Sequence, residues 1–340
     1  MAVGLRIVEW YAVQGRVLPW RDTHDPYRIW LMEVVLQQTR IEQGIGYYHR
    51  LLDRFPDVQA LAAADIDEVL KHWEGLGYYS RARNLHAAAR QVVEVHGGVF
   101  PQHYTVLETL RGIGPYTARA IGAFAFGNET GVLDGNVMRV VSRYLGDFAP
   151  INQASTRKRM QAVVDGWVAG VDPRAFNHGM IDIGATVCTP TKPGCLICPL
   201  YSGCQAAHEG LTHLLPVKEK PARRVRYFHF YYLTDAQGAF VVRQRPARGL
   251  WGGLWELPNE EVDRAQWEAR QSLPGAVFRL ALKHVFTHFD MHIQVFACQA
   301  AADSAETHRG RFISTENIAT FAFPRAMLNI FEGLGLGRFS

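Results

Sequence analysis

Four of the 5 cysteines fall at Cys188, Cys195, Cys198 and Cys204, a Cys-x6-Cys-x2-Cys-x5-Cys run that gathers four sulfurs in one short loop. Four thiolates can wrap a compact inorganic centre, either a [4Fe–4S] cluster or tetrahedral zinc. The spacing alone leaves both open, although zinc sites more often pair two separated Cys-x2-Cys knuckles and here there is one such pair. In a reducing compartment such clustering argues for metal and against disulfides.

Two acids stand in telling surroundings. Trp30-Leu-Met-Glu33-Val-Val-Leu-Gln37-Gln38-Thr39 places a carboxyl group among Leu, Met and Val at helical spacing. Such a Glu is either exposed on the polar face or held in an apolar site, where burial raises its pKa and suits it to general-acid work. Further on, Leu110-Arg-Gly112-Ile-Gly114-Pro115-Tyr116-Thr117-Ala118 reads as a tight turn running straight into a helix. Its glycines let the backbone approach a ligand, and the free N–H groups of a helix start favour an anion, a DNA phosphate being the obvious one. A Gly-x-Gly corner also arises for steric reasons alone. An Asp beside a Gly, as in Leu133-Asp134-Gly135-Asn136-Val137, is ordinarily a turn or N-cap residue.

In combination the signals sharpen. The cysteine loop, with Pro199 after its third cysteine, the glycine hairpin and the Asp134 segment resemble the endonuclease III superfamily of DNA glycosylases. The resemblance implies a [4Fe–4S] cluster on Cys188, Cys195, Cys198 and Cys204, DNA contact at Gly112 and Gly114, and Asp134 as a catalytic carboxylate. Bifunctional members carry, in the hairpin, a lysine that forms a Schiff base with the sugar; here the position is Tyr116, and Met138 supplies no amine either. The Glu33 stretch is similar to the Glu-x-x-Leu-Gln-Gln-Thr helix of the adenine-glycosylase (MutY) branch. So are Leu18-Pro19-Trp20-Arg21, Asp25-Pro26-Tyr27 and Gly75-Leu-Gly-Tyr78-Tyr79-Ser-Arg81-Ala-Arg83-Asn84.

That similarity covers nearly the whole first domain and continues into the second. It implies hydrolysis of the N-glycosidic bond of adenine opposite 8-oxoguanine or guanine in double-stranded DNA. Glu33 would protonate adenine N7 and later activate water, while Asp134 would stabilise or capture the oxocarbenium ion, as in retaining glycosidases. Tyr116 and Asn136 would shape the charge around Asp134. Gln38 and Tyr78 would act near the opposite guanine once the adenosine is flipped out. Arg21 and Trp30 would line the adenine pocket. His178 departs from the family, whose relatives carry Glu or Gln there.

The C-terminal part carries a second resemblance. Leu250-Trp-Gly-Gly-Leu-Trp255-Glu-Leu-Pro258 resembles the Gly-rich opening of Nudix domains. A Nudix hydrolase needs an Arg-Glu-x-x-Glu-Glu helix for Mg²⁺, and the corresponding region here reads Trp267-Glu-Ala-Arg-Gln-Ser, so the fold is expected to serve recognition. Phe286-Thr287-His288 matches the adenine-glycosylase Phe-Ser-His element, which implies contact with 8-oxoguanine; Thr keeps the hydroxyl and adds a methyl. His284, His288 and His292 read as strand residues and not as a metal set.

These groups need a scaffold. Apolar periodicity predicts helices over Arg28 to Glu42, from Asp65 with Glu68 as capping-box partner, and over Arg81 to Val95, stopped by Gly97-Gly98 and Pro101. From Tyr227 the pattern turns to strands: Tyr227–Thr234 and Ala239–Arg243 flank an Asp235–Gly238 hairpin, with further strands at Val277–Thr287 and His292–Ala297 and a closing helix at Pro324–Phe331. The expected fold class is an all-α helix-hairpin-helix glycosylase domain over 1–212, with hairpin 110–118 and iron–sulfur loop 188–204. A basic linker over 213–226 and an α+β Nudix-like domain over 227–340 follow. The linker's bases either touch a phosphate backbone or simply keep a hinge solvated.

Bulk properties agree with two domains: 340 residues, 48% hydrophobic and 20% charged. A net charge of +4 suits a polyanionic partner without demanding one. No apolar run approaches the roughly 20 residues of a membrane span, so no membrane partner is expected, and the chain reads as an intracellular, cytoplasmic monomer. A lyase of endonuclease III type is opposed by Tyr116, a Nudix hydrolase by the missing acids. A non-enzymatic DNA-structure binder would not need Glu33 and Asp134 together. With no amine at Tyr116 or Met138, borohydride is expected to trap no covalent protein–DNA adduct in good yield; a strong shifted band on a denaturing gel would refute the assignment.

Overall fold

Asp25 opens the first functional helix by accepting the Tyr27 N–H, with Pro26 at the first helical position. The computed structural model describes residues 2–219, 223–246, 249–286, 288–301, 304 and 308–339. After α1 (Val3–Gln14), α2 (Pro26–Leu36) buries nearly all of its surface. The single helix expected over Arg28 to Glu42 is broken: α2 ends at Leu36, Gln38 takes φ 58°, and α3 (Ile41–Arg54) starts afresh. Apolar spacing persists across the break, but the polar Gln37-Gln38-Thr39 triplet turns the chain, with the Thr39 N–H closing on Leu36 O at 3.2 Å.

Then come α4 (Val58–Ala63), α5 (Ile66–His72) and α6 (Ser80–His96). Asp65 caps α5 by accepting the Asp67 N–H, and α6 extends one residue beyond each end of the expected helix. The helical part continues through α7 (Tyr104–Leu107), α8 (Pro115–Phe126), α9 (Gly135–Leu145), α10 (Ala154–Val168) and α11 (Pro173–Asp182). A π-helical turn over Ile183–Val187 leads into the cysteine loop, and α12 (Gln205–His208) follows it.

Contacts divide the chain into two units, Met1–Ala63 with Asn84–Lys220, and Ala64–Arg83 with Pro221–Ser340. The first has a core that includes Ile7, Val137, Val141, Met160 and Phe176. The early part of the expected linker is strapped to this unit. Ile151 N–H donates to Val217 O at 3.0 Å, Glu219 N–H to Asn152 Oδ1 at 3.1 Å, and Arg143 Nε to Leu215 O at 3.0 Å. Backbone groups that could have faced water thus find protein partners.

Residues 64–83, read from sequence as part of the helical domain, belong by contact to the second unit. Tyr79 Oη donates to Phe323 O at 3.2 Å, and Phe323 N–H donates to Glu74 Oε1 at 3.2 Å. The sheet here is built on β1 (Arg224–Thr234), which begins inside the expected linker and runs parallel to β6 (Phe289–Gln299), with Tyr227 opposite His292. Around them lie β2 (Phe240–Gln244), β3 (Trp255–Glu256), β4 (Asn259–Val262), β5 (Val277–Val285) and β7 (Gly310–Ile313), in the order β3-β2-β1-β6-β5 with β4 on β1 and β7 on β2. The Asp235 hairpin forms as expected, its side chain accepting from the Ala239 N–H at 2.8 Å. Helix Arg325–Gly333 closes the core through Phe331, edge-on to Phe323 at 5.0 Å. Where a Nudix hydrolase would carry its acidic helix stands the short α13 (Arg264–Glu268), whose Glu268 pairs with Arg264.

One carboxylate inside this unit is held entirely by two arginines. Glu256, 1% exposed at its side chain, takes Arg243 Nε at 3.0 Å and Arg245 Nη1 at 2.6 Å. Glu256→Ala leaves two partly buried guanidinium groups unpaired and should cost about 3 kcal/mol, seen as a lower urea midpoint at unchanged slope. A loss below about 0.5 kcal/mol would mean that the pair behaves like a surface one.

Candidate active site

Three helix ends meet at one cavity of the first unit. Glu33 comes from the last turn of α2, Tyr116 from the first turn of α8, and Asp134 caps α9; all three line the cavity, with Gly112, Gly114 and Gln38. Glu33 sits between the buried Met32 and Val34, and its Oε2 accepts from the Tyr116 hydroxyl at 2.8 Å. Burial pushes its pKa up to about 7; the Tyr116 hydrogen bond opposes the rise, Asp134 adds to it, and Arg21 lowers it. The Tyr116 phenol is driven well above its usual range by burial and then by the charges of Glu33 and Asp134, so it remains a protonated donor.

Asp134 has the fuller set of donors. Oδ1 accepts the Val137 N–H at 2.7 Å, the N-cap bond of α9, and Oδ2 accepts Asn136 Nδ2 at 2.9 Å. Burial still raises its pKa, while these hydrogen bonds and Arg139 pull it down. Asn136 is itself oriented by Arg139, whose Nη2 donates to Asn136 Oδ1 at 2.9 Å and to Gly184 O at 2.6 Å. The same guanidinium reaches Cys188 O through Nε at 2.7 Å.

The hairpin glycines differ in their reasons. Gly112 has φ 72°, and a Cβ there would lie 2.4 Å from Asn84 Cβ, so packing alone requires glycine. A Cβ at Gly114 would meet nothing within 4 Å, leaving the start of α8 open to an incoming group. Gln38, also at the cavity, is exposed and held at φ 58°. Sequence reasoning missed Gln37, which donates to Thr117 Oγ1 at 3.2 Å, and Arg157 of α10, which lines the cavity. Gln37 stands inside the motif already quoted; nothing in the sequence signalled Arg157.

Two expected pocket residues are not in the lining. Trp30 is 1% exposed and packs edge-on against Phe100 at 5.4 Å, which makes it a core residue. Arg21 is buried in a bidentate pair with Asp182 at 2.7 and 2.8 Å, and Arg16 Nε completes the clamp at 2.7 Å. Its influence on Glu33 is by charge. His178 stacks on Phe124 at 4.1 Å and 5°, with Nε2 unpartnered; burial and then Arg21 press its pKa down to about 3, so the ring is neutral.

The four cysteines line one cavity with Arg143 and Tyr201, and none forms a disulfide. Among the described residues no set of three or more His, Cys, Asp or Glu is drawn together as a metal site. The donor chemistry nevertheless fits a thiolate-bound centre. Burial lifts the Cys198 thiol to about 11 and raises Cys204, so only a bound cation would keep these sulfurs ionised. Arg143 braces the loop, donating to Thr189 O at 2.8 Å, Pro190 O at 2.9 Å and Cys188 Sγ at 3.4 Å.

The second unit has its own cavity, lined by Tyr78, Trp251, His284, Phe286, His288 and Arg83 among others. Phe286 stacks on Phe289 at 4.4 Å and meets Trp251 at 5.6 Å. Tyr78 is 48% exposed, with the Arg81 guanidinium 5.7 Å from its ring centre. Thr287 lies outside the described residues. His292 packs instead against Tyr227 and Trp267, so the three histidines do not converge.

Known proteins match both parts. The profile of the HhH-GPD superfamily base excision DNA repair proteins matches residues 31–168, and that of the NUDIX domain matches 229–333. The chain is 31% identical to the adenine DNA glycosylase of Homo sapiens, over 96% of its own length and 72% of that protein. It is 31% identical to that of Mus musculus, covering 76% of it, and 29% identical to that of Buchnera aphidicola, covering 95%. Of solved structures, a thermostable thymine-DNA glycosylase aligns with TM-score 0.56 and 28% identity, over 61% of this chain and 95% of that one. A trapped endonuclease III–DNA intermediate aligns at 0.52 and 20%, over 62% and 95%, a likeness of fold alone.

The raised Glu33 pKa has a consequence for stability. Its folded value near 7 exceeds the unfolded value of about 4.3. Its contribution is therefore fully present below the unfolded pKa and lost as pH rises through about 7. Glu33→Gln, which cannot ionise, should melt above wild type near pH ~8, with the gap closing toward pH ~5; equal melting at both pH values would contradict the raised pKa.

Proposed function

The chain belongs to the adenine DNA glycosylase family, and we propose that it hydrolyses the N-glycosidic bond of adenine paired with 8-oxoguanine or guanine in duplex DNA, using Glu33 and Asp134. Membership makes it a base-excision-repair glycosylase acting on adenine. The observation that carries the residue assignment is the pairing of a Glu whose pKa stands near 7 with a capped, multiply hydrogen-bonded Asp in one cavity. Two carboxyl groups with unequal environments suit acid and anion roles in one reaction.

In this mechanism protonated Glu33 transfers its proton to adenine N7 as the C1′–N9 bond breaks, and the bonding pair leaves with the base. The positive charge left on C1′ and O4′ is stabilised or captured by the Asp134 carboxylate. Glu33, now a carboxylate, takes a proton from the water that adds to C1′, so one water is consumed per adenine released. Tyr116 holds Glu33 through its hydroxyl and Asn136 holds Asp134, and neither side chain offers an amine for imine chemistry. Gly112 and Gly114 are assigned to a DNA phosphate, Gln38 and Tyr78 to the neighbourhood of the base opposite adenine. Phe286, Thr287 and His288 are assigned to 8-oxoguanine. Tyr78, Trp251 and Phe286 line the second unit's cavity, and planar faces of this kind suit a base. Cys188, Cys195, Cys198 and Cys204 would hold a [4Fe–4S] cluster, which when bound supplies four iron–sulfur bonds that cross-link the loop.

Incubation with a labelled duplex containing A opposite 8-oxoguanine should release free adenine and leave an alkali-labile strand that is intact before alkali. The single-turnover rate should fall as pH rises through about 7, because the acid form of Glu33 is then lost. Glu33→Gln should release no adenine while still binding the duplex; near-normal release would remove Glu33 from the mechanism.

A further inference from the structure

We propose that Arg157 takes up a backbone phosphate of the strand carrying the extruded adenosine, an inference that rests on the function proposed above. Among the residues lining the Glu33–Asp134 cavity, Arg157 is the one cation. Its Nε donates to Ile151 O at 3.1 Å, which fixes the side chain at its root, while among the described residues neither terminal nitrogen has a partner. Three other arginines of this unit are committed: Arg159 pairs with Asp147, Arg119 with Asp165, and Arg139 with Asn136, Gly184 and Cys188. Nor does Arg157 tune the acids: the charge acting on Asp134 is that of Arg139, and those acting on Glu33 are Asp134 and Arg21.

A cavity built around two acids repels a polyanion unless some cation offsets them at its wall. An exposed guanidinium anchored by Nε and free at both ends presents two parallel N–H donors, the geometry that matches phosphate oxygens. Because it lines the cavity that would receive the flipped nucleoside, the contact should form on extrusion and not on undamaged, stacked duplex.

The test compares Glu33→Gln with the double variants Glu33→Gln/Arg157→Gln and Glu33→Gln/Arg157→Lys, so that binding is read without turnover. Affinity is measured by fluorescence anisotropy between about 50 and 200 mM salt, on an A:8-oxoG duplex and on a fully matched one. On A:8-oxoG, Arg157→Gln should reduce the slope of log K against log salt by about 1, with Arg157→Lys restoring it. The matched duplex should show no change. An unchanged slope, or an equal reduction on both duplexes, overturns the inference while leaving the proposed function standing. Failure of the Glu33→Gln parent to prefer A:8-oxoG would overturn the proposed function and this inference together.

Discussion

Asp134 is both the N-cap of α9 and one of the two acids in the cavity, and this double duty constrains the helical unit around it. A capping carboxylate must stay within reach of the Val137 N–H, which fixes the acid to the axis of α9. The axis is fixed in turn from its side. Arg139 and Arg143, one helical turn apart on the same face, reach the carbonyls of Gly184, Cys188, Thr189 and Pro190. Carbonyls of the π-helical turn and of the cysteine loop thereby gain charged donors. The same bonds keep the start of α9, and so Asp134, from drifting.

The electrostatics of the pair follow from unequal solvation by the protein. Both acids are raised by burial, yet Asp134 receives three kinds of relief from Val137, Asn136 and Arg139, whereas Glu33 has one hydrogen bond, from Tyr116. The Asp134 anion is therefore the better supported by hydrogen bonds, and its charge helps to hold the proton on Glu33. Tyr116 stays a donor to Glu33, because burial and the two acids hold its own proton firmly. The unequal surroundings of the two acids are thus a property of the three helix ends.

Much of this was legible in the chain. Asp25-Pro26 and Asp65 are local capping signals, and local chemistry decides them. The glycine hairpin and the four cysteines are likewise short-range patterns. What escaped depends on tertiary context. The break of α2 at Leu36 was hidden because apolar spacing continues through it while the helix axis does not. Trp30 looks like a pocket residue only as long as the direction of its ring is unknown, and Arg21 only as long as Asp182 is. Arg157 carries no local signal, since its place at the cavity comes from how α10 packs. Residues 64–83 likewise join the second unit through bonds to Phe323 and Gly252, made far along the chain.

Backbone strain gathers in part at the two cavities. Five non-glycine residues among those described have positive φ: Gln38, Tyr78, Trp251, Arg270 and Arg309. Each such conformation costs about 1–2 kcal/mol for a residue with a Cβ, and glycine would remove the penalty. Three of the five, Gln38, Tyr78 and Trp251, line the two cavities described above. Glycine would relieve the strain at each, but it would remove the amide or the aromatic ring from the cavity wall. At Trp251 the side chain is held against Phe286 and His284, so the strain there orients a ring and not merely a turn. Gln38 and Tyr78 are marked by their motifs as well as by this strain. Trp251 likewise lies in a motif, the Leu250–Pro258 stretch, and its left-handed backbone sets the ring in the wall of the second unit's cavity.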